Sequence, residues 1–179
     1  LKQIENKVKE MDTDSAIKLL LEAQDNLTFK LDKLLARYEK KKELLQKELL
    51  RYQKMCEYEE KARTKGYRLI AGMDEAGRGP LAGPVVAACV ILQDGVFIDN
   101  LNDSKQLSEK QRDTLFDIVR DKSVSYGIGI VDEKTIDEIN ILNATKKAMK
   151  MAVEAMEIRP DMLLIDAVTL EEMDMEQQG

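Results

Sequence analysis

The distribution of glycine and proline restricts the fold of this chain of 179 residues more than any other feature of its sequence. Residues 1–65 contain neither residue, whereas residues 66–83 contain five glycines and one proline. Glycine and proline are the residues that most disfavour a helix interior, so a long segment without them favours uninterrupted helices. We therefore predict two parts, a helical N-terminal part at 1–65 and a part of different architecture at 66–179.

The N-terminal part carries one apolar seam. Its members recur at alternating steps of four and three residues, with Lys42 as the polar interruption: Leu31, Leu35, Tyr38, Leu45, Leu49, Tyr52 and Cys56. This spacing predicts one long helix. Breaks at MDTDS and DN predict one or two shorter helices before it, with Asp14 or Ser15 and Asn26 as N-caps. The simplest interpretation is a helical arm folded back as a hairpin; self-association of the arm and docking of a substrate on it are the alternatives.

From residue 66 the pattern alternates between strands and helices. YRLIAGMD and GPVVAACVIL are rich in strand-forming residues, and LSEKQRDTLFDIVRDK is an amphipathic helix with Ser108 and Gln111 spaced as a capping box. Next come the alternating run VSYGIGIV, a short helix, a longer helix and the apolar run DMLLIDAV. The final segment, EEMDMEQQG, shows no strand pattern. The order β-β-α-β-α-β predicts an α/β fold with an initial hairpin and later parallel crossovers.

Composition excludes several classes of chemistry. The chain has no histidine, which removes Ser-His-Asp and Cys-His mechanisms and histidine-bound zinc. Cys56 and Cys89 show no disulfide framework, and no apolar run approaches the length of a membrane span, so we expect a cytoplasmic protein without a membrane segment. Residues 66–179 carry 12 Lys and Arg against 21 Asp and Glu. Such acidity suits a site that collects carboxylates for hard cations.

Two apolar strands run into acidic residues. Asp74 and Glu75 follow LIAGM, and Asp166 follows MLLI. Taken singly, each acid is most simply a helix cap or a turn former. Taken together, the acids fit another pattern, in which the central strands of an open sheet direct carboxylates into one crevice. Carboxylates gathered there repel one another, so Mg²⁺ or Mn²⁺ is the expected ligand.

The segment GRGPLAGP directly follows the first two acids. Gly77 and Gly79 allow close approach of the backbone to a ligand, and Arg78 is a bidentate donor. The simpler interpretation is a turn between two antiparallel strands, with Arg78 paired to Asp74 or Glu75. Neither a dinucleotide fingerprint nor a P-loop is present, because the spacing differs and no helix follows.

These segments resemble bacterial ribonuclease HII from about residue 66 to the end. The resemblance rests on GMDEAGRGPLAGPVVAACVIL, DSKQLSEKQR, YGIGIV, IDEINILNATKKAM and LLIDAV. It implies a ribonuclease H-like α/β fold, a mixed sheet flanked by helices, with an N-terminal helical extension like that of some Gram-positive members. It also implies endonucleolytic cleavage of RNA in RNA–DNA hybrids or ribonucleotide-containing duplexes, on the 5′ side of a ribonucleotide, leaving a 3′-hydroxyl and a 5′-phosphate.

The same resemblance assigns roles to individual residues. Asp74, Glu75 and Asp166 match three of the family's metal-site acids, with Mg²⁺ or Mn²⁺ as cofactor. The matches for substrate binding are Gly77, Arg78 and Gly79 at the 2′-hydroxyl, and Ser104 and Lys105 near the nucleic-acid backbone. Gln106 stands where a second lysine is common.

The family's fourth carboxylate and a stacking tyrosine lie well downstream of the LLIDAV strand, farther along than Gly179. We therefore expect a catalytic domain at 66–179 that is incomplete at its C-terminus, with a helical arm at 1–65 that binds substrate or mediates assembly. Two other functions stay open: a non-catalytic module that binds hybrids, and a scaffold protein assembled through the arm.

Overall fold

The structure is a computed structural model that describes residues 2–24, 31–79, 82–166, 168–171 and 173–178. It divides into two compact units, Leu1–Met55 and Cys56–Gly179. The structural division thus falls before the helix at 57–64, whereas the change in composition placed it after residue 65. The assignment of separate functions to the two parts stays a prediction.

The first unit contains a helical hairpin. Its helices are α1 (Lys2–Lys9), α2 (Thr13–Gln24) and α3 (Leu31–Met55). Their buried side chains form one small core: Val8, Ala16, Leu20 and Leu31. The Tyr38 hydroxyl donates a hydrogen bond to the Val8 carbonyl at 2.8 Å, which ties α3 to the end of α1. The hairpin predicted from the sequence is therefore present.

Two details of the arm differ from the prediction. The cap of α2 is Asp12 instead of Asp14 or Ser15, because its carboxylate accepts from the Ser15 N–H at 2.9 Å. Hydrogen bonds from Ser15 lower the pKa of Asp12. The predicted cap Asn26 lies outside the described residues. The long helix ends at Met55, and α4 (Glu57–Thr64) begins after a break at Cys56.

The middle of the α3 seam is exposed. Leu31 and Tyr52 are buried, but Leu45 and Leu49 between them are 46% and 49% exposed. The apolar face that packs in the hairpin therefore continues as an exposed strip at Leu45 and Leu49.

The second unit is built on a five-stranded sheet in the order β3-β2-β1-β4-β5. The strands are β1 (Ile70–Ala76), β2 (Val85–Leu92), β3 (Ser123–Val131), β4 (Met162–Ile165) and β5 (Glu176–Gln178). β1 pairs antiparallel with β2 and parallel with β4, which confirms the predicted hairpin and parallel crossover. β5 corrects the prediction for the tail, because it extends the sheet through backbone pairing with β4 despite a polar sequence.

Helix α6 covers one face of the sheet. The helices of this unit after α4 are α5 (Glu109–Lys122) and α6 (Glu133–Glu154). α6 lies so close to β3 that a Cβ atom on Gly127 or Gly129 would be 1.9 Å from the carbonyl oxygen of Ala152 or Ala148. Alternate residues of β3 point away from α6 and are exposed: Val124, Tyr126, Ile128 and Ile130.

Local capping explains where these helices begin. The predicted capping box of α5 is confirmed by the Ser108 N–H, which donates to Gln111 Oε1 at 2.9 Å. α6 bends at Asn140, whose φ of 66° lies in the left-handed region, and the Asn140 side chain accepts from the Asn143 N–H at 3.1 Å. The bend confirms the predicted short helix followed by a longer one. None of the helices described in the structure is long and apolar enough to cross a membrane.

Neither cysteine forms a disulfide. Cys89 lies in the sheet core, and burial raises the pKa of its thiol to about 12. This thiol is therefore a packing group without nucleophilic character at neutral pH.

Candidate active site

The parallel ladder between β1 and β4 brings Asp74 and Asp166 to the same edge of the sheet. Its last paired residues are Met73 and Ile165, so the two aspartates are the next residue on each strand. Neighbouring strands lie about 4.8 Å apart. Met73 and Ile165 are buried in the core under α6, whereas both aspartates are exposed. The ends of two strands far apart in sequence thus present their carboxylates together.

Asp161 sets this register from the opposite end of β4. Its carboxylate accepts from the backbone N–H groups of Arg68 at 2.9 Å and Leu69 at 3.1 Å. Its own N–H donates to the Leu69 carbonyl at 2.9 Å. Because side chains alternate between faces, a shift of one residue would turn Asp166 away from Asp74. Asp161 was not among the predicted site residues, although an aspartate between Pro160 and an apolar run is a recognisable strand-entry signal.

Glu75 has a different environment from Asp74. Its side chain is 13% exposed, and Oε1 lies 2.9 Å from Nη1 of Arg78. The Glu75 N–H donates to Asp74 Oδ1 at 2.8 Å. Successive strand residues point to opposite faces, which separates the two acids. The ion pair is one of the two, with Asp74 or with Glu75, that the simpler interpretation of GRG predicted.

The donor set suits a hard divalent cation, because carboxylate oxygens are the ligands that Mg²⁺ and Mn²⁺ prefer. Across the described ranges, no group of three or more acidic or cysteine side chains is close enough to hold an ion. The expected cluster of Asp74, Glu75 and Asp166 is therefore not assembled in this conformation. The edge formed by Asp74 and Asp166 matches an ion held by one or two carboxylates together with water and a substrate phosphate.

The two glycines beside Arg78 are not equivalent. Gly77 has a φ of +97°, and a Cβ atom there would lie 2.3 Å from the Pro84 carbonyl oxygen. A Cβ atom at Gly79 would have no neighbour within 4 Å among the residues that the structure describes, apart from the adjoining residues of the chain. The fold itself thus requires glycine at 77, whereas at 79 it leaves exposed backbone.

Ser104 and Lys105 lie on an exposed single turn of 3-10 helix, Ser104–Gln106. The Asp103 carboxylate accepts from the Lys105 N–H at 2.9 Å. Arg112 of α5 donates to the Leu107 carbonyl at 2.6 Å and to the Ser104 carbonyl at 3.4 Å. Arg112 was not among the predicted site residues, yet it anchors this turn to α5.

Asn102 adds a second support to the same turn, since its Nδ2 donates to Gln106 Oε1 at 3.0 Å. In the described part of the chain, Ser104 and Lys105 form no hydrogen bond or ion pair with the three site acids. Their assignment to the nucleic-acid backbone stays a prediction.

Comparison with known proteins identifies the family. A family profile described as Ribonuclease HII matches residues 71–179, which include the acids, the GRG segment and the turn at 104–106. This chain belongs to the ribonuclease HII family. The sequence resemblance and the fold that it implied, a mixed sheet flanked by helices with an N-terminal helical region, are confirmed.

Individual relatives extend this result. Ribonuclease HII of Acetivibrio thermocellus is 56% identical over 179 residues, which is all of this chain and 70% of that protein. Ribonuclease HII of Ruminiclostridium cellulolyticum is 48% identical over 177 residues, or 99% of this chain and 69% of that protein. Both matches include the helical arm, which lies outside the ribonuclease HII profile.

Among solved structures, the ribonuclease H2 of Pyrococcus horikoshii OT3 is 29% identical, with a TM-score of 0.47. The alignment covers 56% of this chain and 51% of that one, so this chain spans about half the length of that structure.

Proposed function

We propose that this chain is the substrate-cleaving part of an endonuclease that hydrolyses RNA in RNA–DNA hybrids. It cuts on the 5′ side of ribonucleotides, including those embedded in duplex DNA, and leaves a 3′-hydroxyl and a 5′-phosphate. The observation that carries this proposal is the register of β1 and β4, which brings Asp74 and Asp166 together in a chain of the ribonuclease HII family.

Asp74 and Asp166 would hold Mg²⁺ or Mn²⁺, and Glu75, which is paired with Arg78 in the structure, would be the third ligand. A bound divalent ion lowers the pKa of its water and offsets the charge that develops on the phosphate. Arg78 contacts Glu75 through Nη1, and the other N–H groups of its guanidinium suit a substrate phosphate. The Glu75–Arg78 ion pair thus keeps the arginine near the strand that carries Asp74.

Recognition of RNA requires a group that senses the 2′-hydroxyl. The backbone at Gly79 suits this role, because no atom of the described residues lies within 4 Å of the place where its Cβ would stand, chain neighbours aside, and the adjoining Arg78 can reach a phosphate. Ser104 and Lys105 would contact the nucleic-acid backbone from their anchored turn. The substrate is thus an RNA–DNA hybrid or a DNA duplex that contains ribonucleotides.

The arm has a separate role in this proposal. Its exposed strip on α3 suits self-association, with the charged flanks of the helix in solvent. A cytoplasmic location stays a prediction from the pattern of cysteines.

The decisive experiment is cleavage of a duplex with one ribonucleotide and of a continuous RNA–DNA hybrid, each with Mg²⁺ and with Mn²⁺. We expect cleavage 5′ of the ribonucleotide, and at least a ~100-fold loss of rate in Asp74→Asn with binding of the hybrid retained. The ribonuclease HII of A. thermocellus serves as the positive control. Near-normal turnover by Asp74→Asn would end the assignment of this carboxylate to a metal ion.

A chimera tests whether this chain needs a further portion of a related protein in order to cut. In it, this chain is joined to the portion of the A. thermocellus protein that lies outside the match. If the chimera cuts and the chain alone only binds, the chain supplies the acids but requires that portion. If the chimera and the chain alone both bind hybrids but neither cuts them, the chain is a non-catalytic binding module. If neither protein binds hybrids, the chain is a scaffold protein.

A further inference from the structure

The surface of α6 carries a concave group of lysines that the proposed mechanism does not use. A cavity of about 560 Å³ is lined on one side by α6 and on the other by the segment after β4. The polar lining residues, together called the lysine pocket below, are Asn143, Lys146, Lys147, Lys150 and Glu171.

The shape of the lysine pocket follows from local structure. Asn143, Lys146, Lys147 and Lys150 are spaced by three, one and three residues, so they share one side of the helix. The opposite wall is held firmly, because the Leu170 N–H and carbonyl both bond to the side-chain amide of Gln177, at 2.8 Å and 2.9 Å.

The charge of the lysine pocket opposes that of its surroundings. Residues 66–179 carry 12 basic and 21 acidic residues, yet three of the 12 lie within five positions of α6. With Glu171 included, the lining has three positive charges and one negative charge, a balance of +2. Within the described part of the chain, Lys146 and Lys147 form no ion pair. A concave basic surface in an acidic domain is suited to an anion.

The position of the lysine pocket relates it to the acidic edge. Leu170, which contributes to its wall, follows Asp166 by four residues, a distance of at most about 14 Å of extended chain. One strand of a duplex advances ~3.4 Å per phosphate, so a strand bound at Asp166 reaches the pocket within a few nucleotides.

We infer that the lysine pocket binds a backbone phosphate of the nucleic-acid strand whose cleavage is proposed above. The inference rests on that proposed function and adds to it a second, remote point of attachment. A phosphate contact carries no sequence information, so the pocket sets the register of the strand on the enzyme without selecting bases. Its contribution lies in binding and leaves the chemical step unchanged.

The first test removes the charge of the lysine pocket. Lys146→Gln/Lys147→Gln is compared with Lys110→Gln/Lys122→Gln, which removes two exposed lysines from α5 and gives the same net charge. Binding of a fluorescent duplex with one ribonucleotide is measured in metal-free buffer over a salt series. We expect ~10-fold weaker binding and a slope of log K against log salt that is smaller by about 1 for the pocket variant alone. The kcat of the pocket variant stays unchanged. Lys147→Gln alone weakens binding in the same way but to a smaller extent.

The second test locates the phosphate. Uncharged methylphosphonate linkages are placed one at a time on either side of the ribonucleotide, and each duplex is bound by both proteins. We expect one position at which the neutral linkage weakens binding to the unmodified chain several-fold but leaves binding to Lys146→Gln/Lys147→Gln unchanged.

The outcomes separate the two proposals. The lysine pocket is overturned by equal binding of the pocket and control variants, or by equal losses at every neutral linkage in both proteins. In either case, cleavage by the unmodified chain or by the chimera still upholds the nuclease. Failure of the unmodified chain to bind the ribonucleotide-containing duplex, with or without neutral linkages, overturns both the lysine pocket and the proposed nuclease function.

Discussion

At the scale of single residues, the two glycines that flank Arg78 illustrate how one motif combines structural and functional demands. Gly77 is fixed by its positive φ and by the Pro84 carbonyl oxygen, which leaves no room for a Cβ atom. Gly79 meets neither restriction in the described structure. The motif GRG therefore contains one glycine that the turn needs and one that is available for a ligand.

This difference yields a paired prediction. Gly77→Ala should lower the free energy of unfolding by about 1–3 kcal/mol, because it combines a strained backbone with a steric clash. Gly79→Ala should unfold at the same temperature as the unmodified chain but cut ribonucleotide-containing duplexes more slowly. Thermal unfolding and kcat/KM are measured for both variants. A stable Gly79→Ala with unchanged kcat/KM would remove this position from recognition of the 2′-hydroxyl.

Residue types and spacing predicted the acids and the two possible partners of Arg78, of which the structure has Glu75. They did not predict the cap of α2. Asp12, Asp14 and Ser15 are all good capping residues, and only the position where the chain leaves the helix decides among them. The conformation of Glu75 could not be predicted from the sequence either, since a carboxylate can bind either an arginine or a metal ion.

At the scale of elements, α6 and β3 pack backbone against backbone at Gly127 and Gly129. Gly127 and Gly129 let the helix backbone approach the strand, with Ala148 and Ala152 opposite them. Small residues on both sides bring the two backbones together, so the nearest atoms that a Cβ at Gly129 would meet all belong to the helix backbone, which cannot move aside as a side chain can. The position of α6, and with it the lysine pocket, depends on these two glycines.

We therefore predict that Gly129→Ala lowers the free energy of unfolding by at least about 2 kcal/mol, since a Cβ atom would lie 1.9 Å from the Ala148 carbonyl oxygen. Gly72→Ala is the matched control, because Gly72 is also a strand glycine but a Cβ atom there would meet nothing within 4 Å among the described residues, apart from its chain neighbours. The control should stay within about 0.5 kcal/mol of the unmodified chain. Urea unfolding measures both, and equal stabilities would refute the close contact.

The order of strands and helices could be predicted because hydrophobic period and turn residues repeat along each element. β5 could not, because Glu176, Gln177 and Gln178 have no strand pattern and pair only because β4 offers its edge. Backbone pairing of this kind depends on the partner strand and leaves little trace in the sequence.

At the scale of the whole molecule, the chain joins a helical unit to an α/β unit of the ribonuclease HII family. The family profile covers only the second, whereas the A. thermocellus relative matches both. The arm thus accompanies the catalytic domain in that relative without being part of the family's common core. Its exposed strip on α3 is the feature for which the hairpin gives no explanation.

We predict that this strip mediates self-association. Leu45→Gln/Leu49→Gln should raise the dissociation constant of the dimer at least ~10-fold, because these leucines continue the seam that packs in the hairpin. Leu44→Gln/Leu50→Gln is the control, since both leucines are exposed but lie off the seam. Sedimentation velocity over a range of concentrations distinguishes the variants. A monomer at every concentration, or equal effects of the two double substitutions, would contradict the prediction.

The register of β1 and β4 has a consequence for how the protein acquires activity during refolding. Asp74 and Asp166 stand 92 positions apart in the chain (166 minus 74), and only the pairing of Met73 with Ile165 brings them together. Contacts between such distant segments form late, because closing a long loop costs entropy before any pairing compensates for it. The β1–β2 hairpin can therefore exist while the protein still has no active site. Recovery of cleavage after dilution from denaturant should lag behind recovery of secondary structure. The time at which activity returns would then report when β1 pairs with β4.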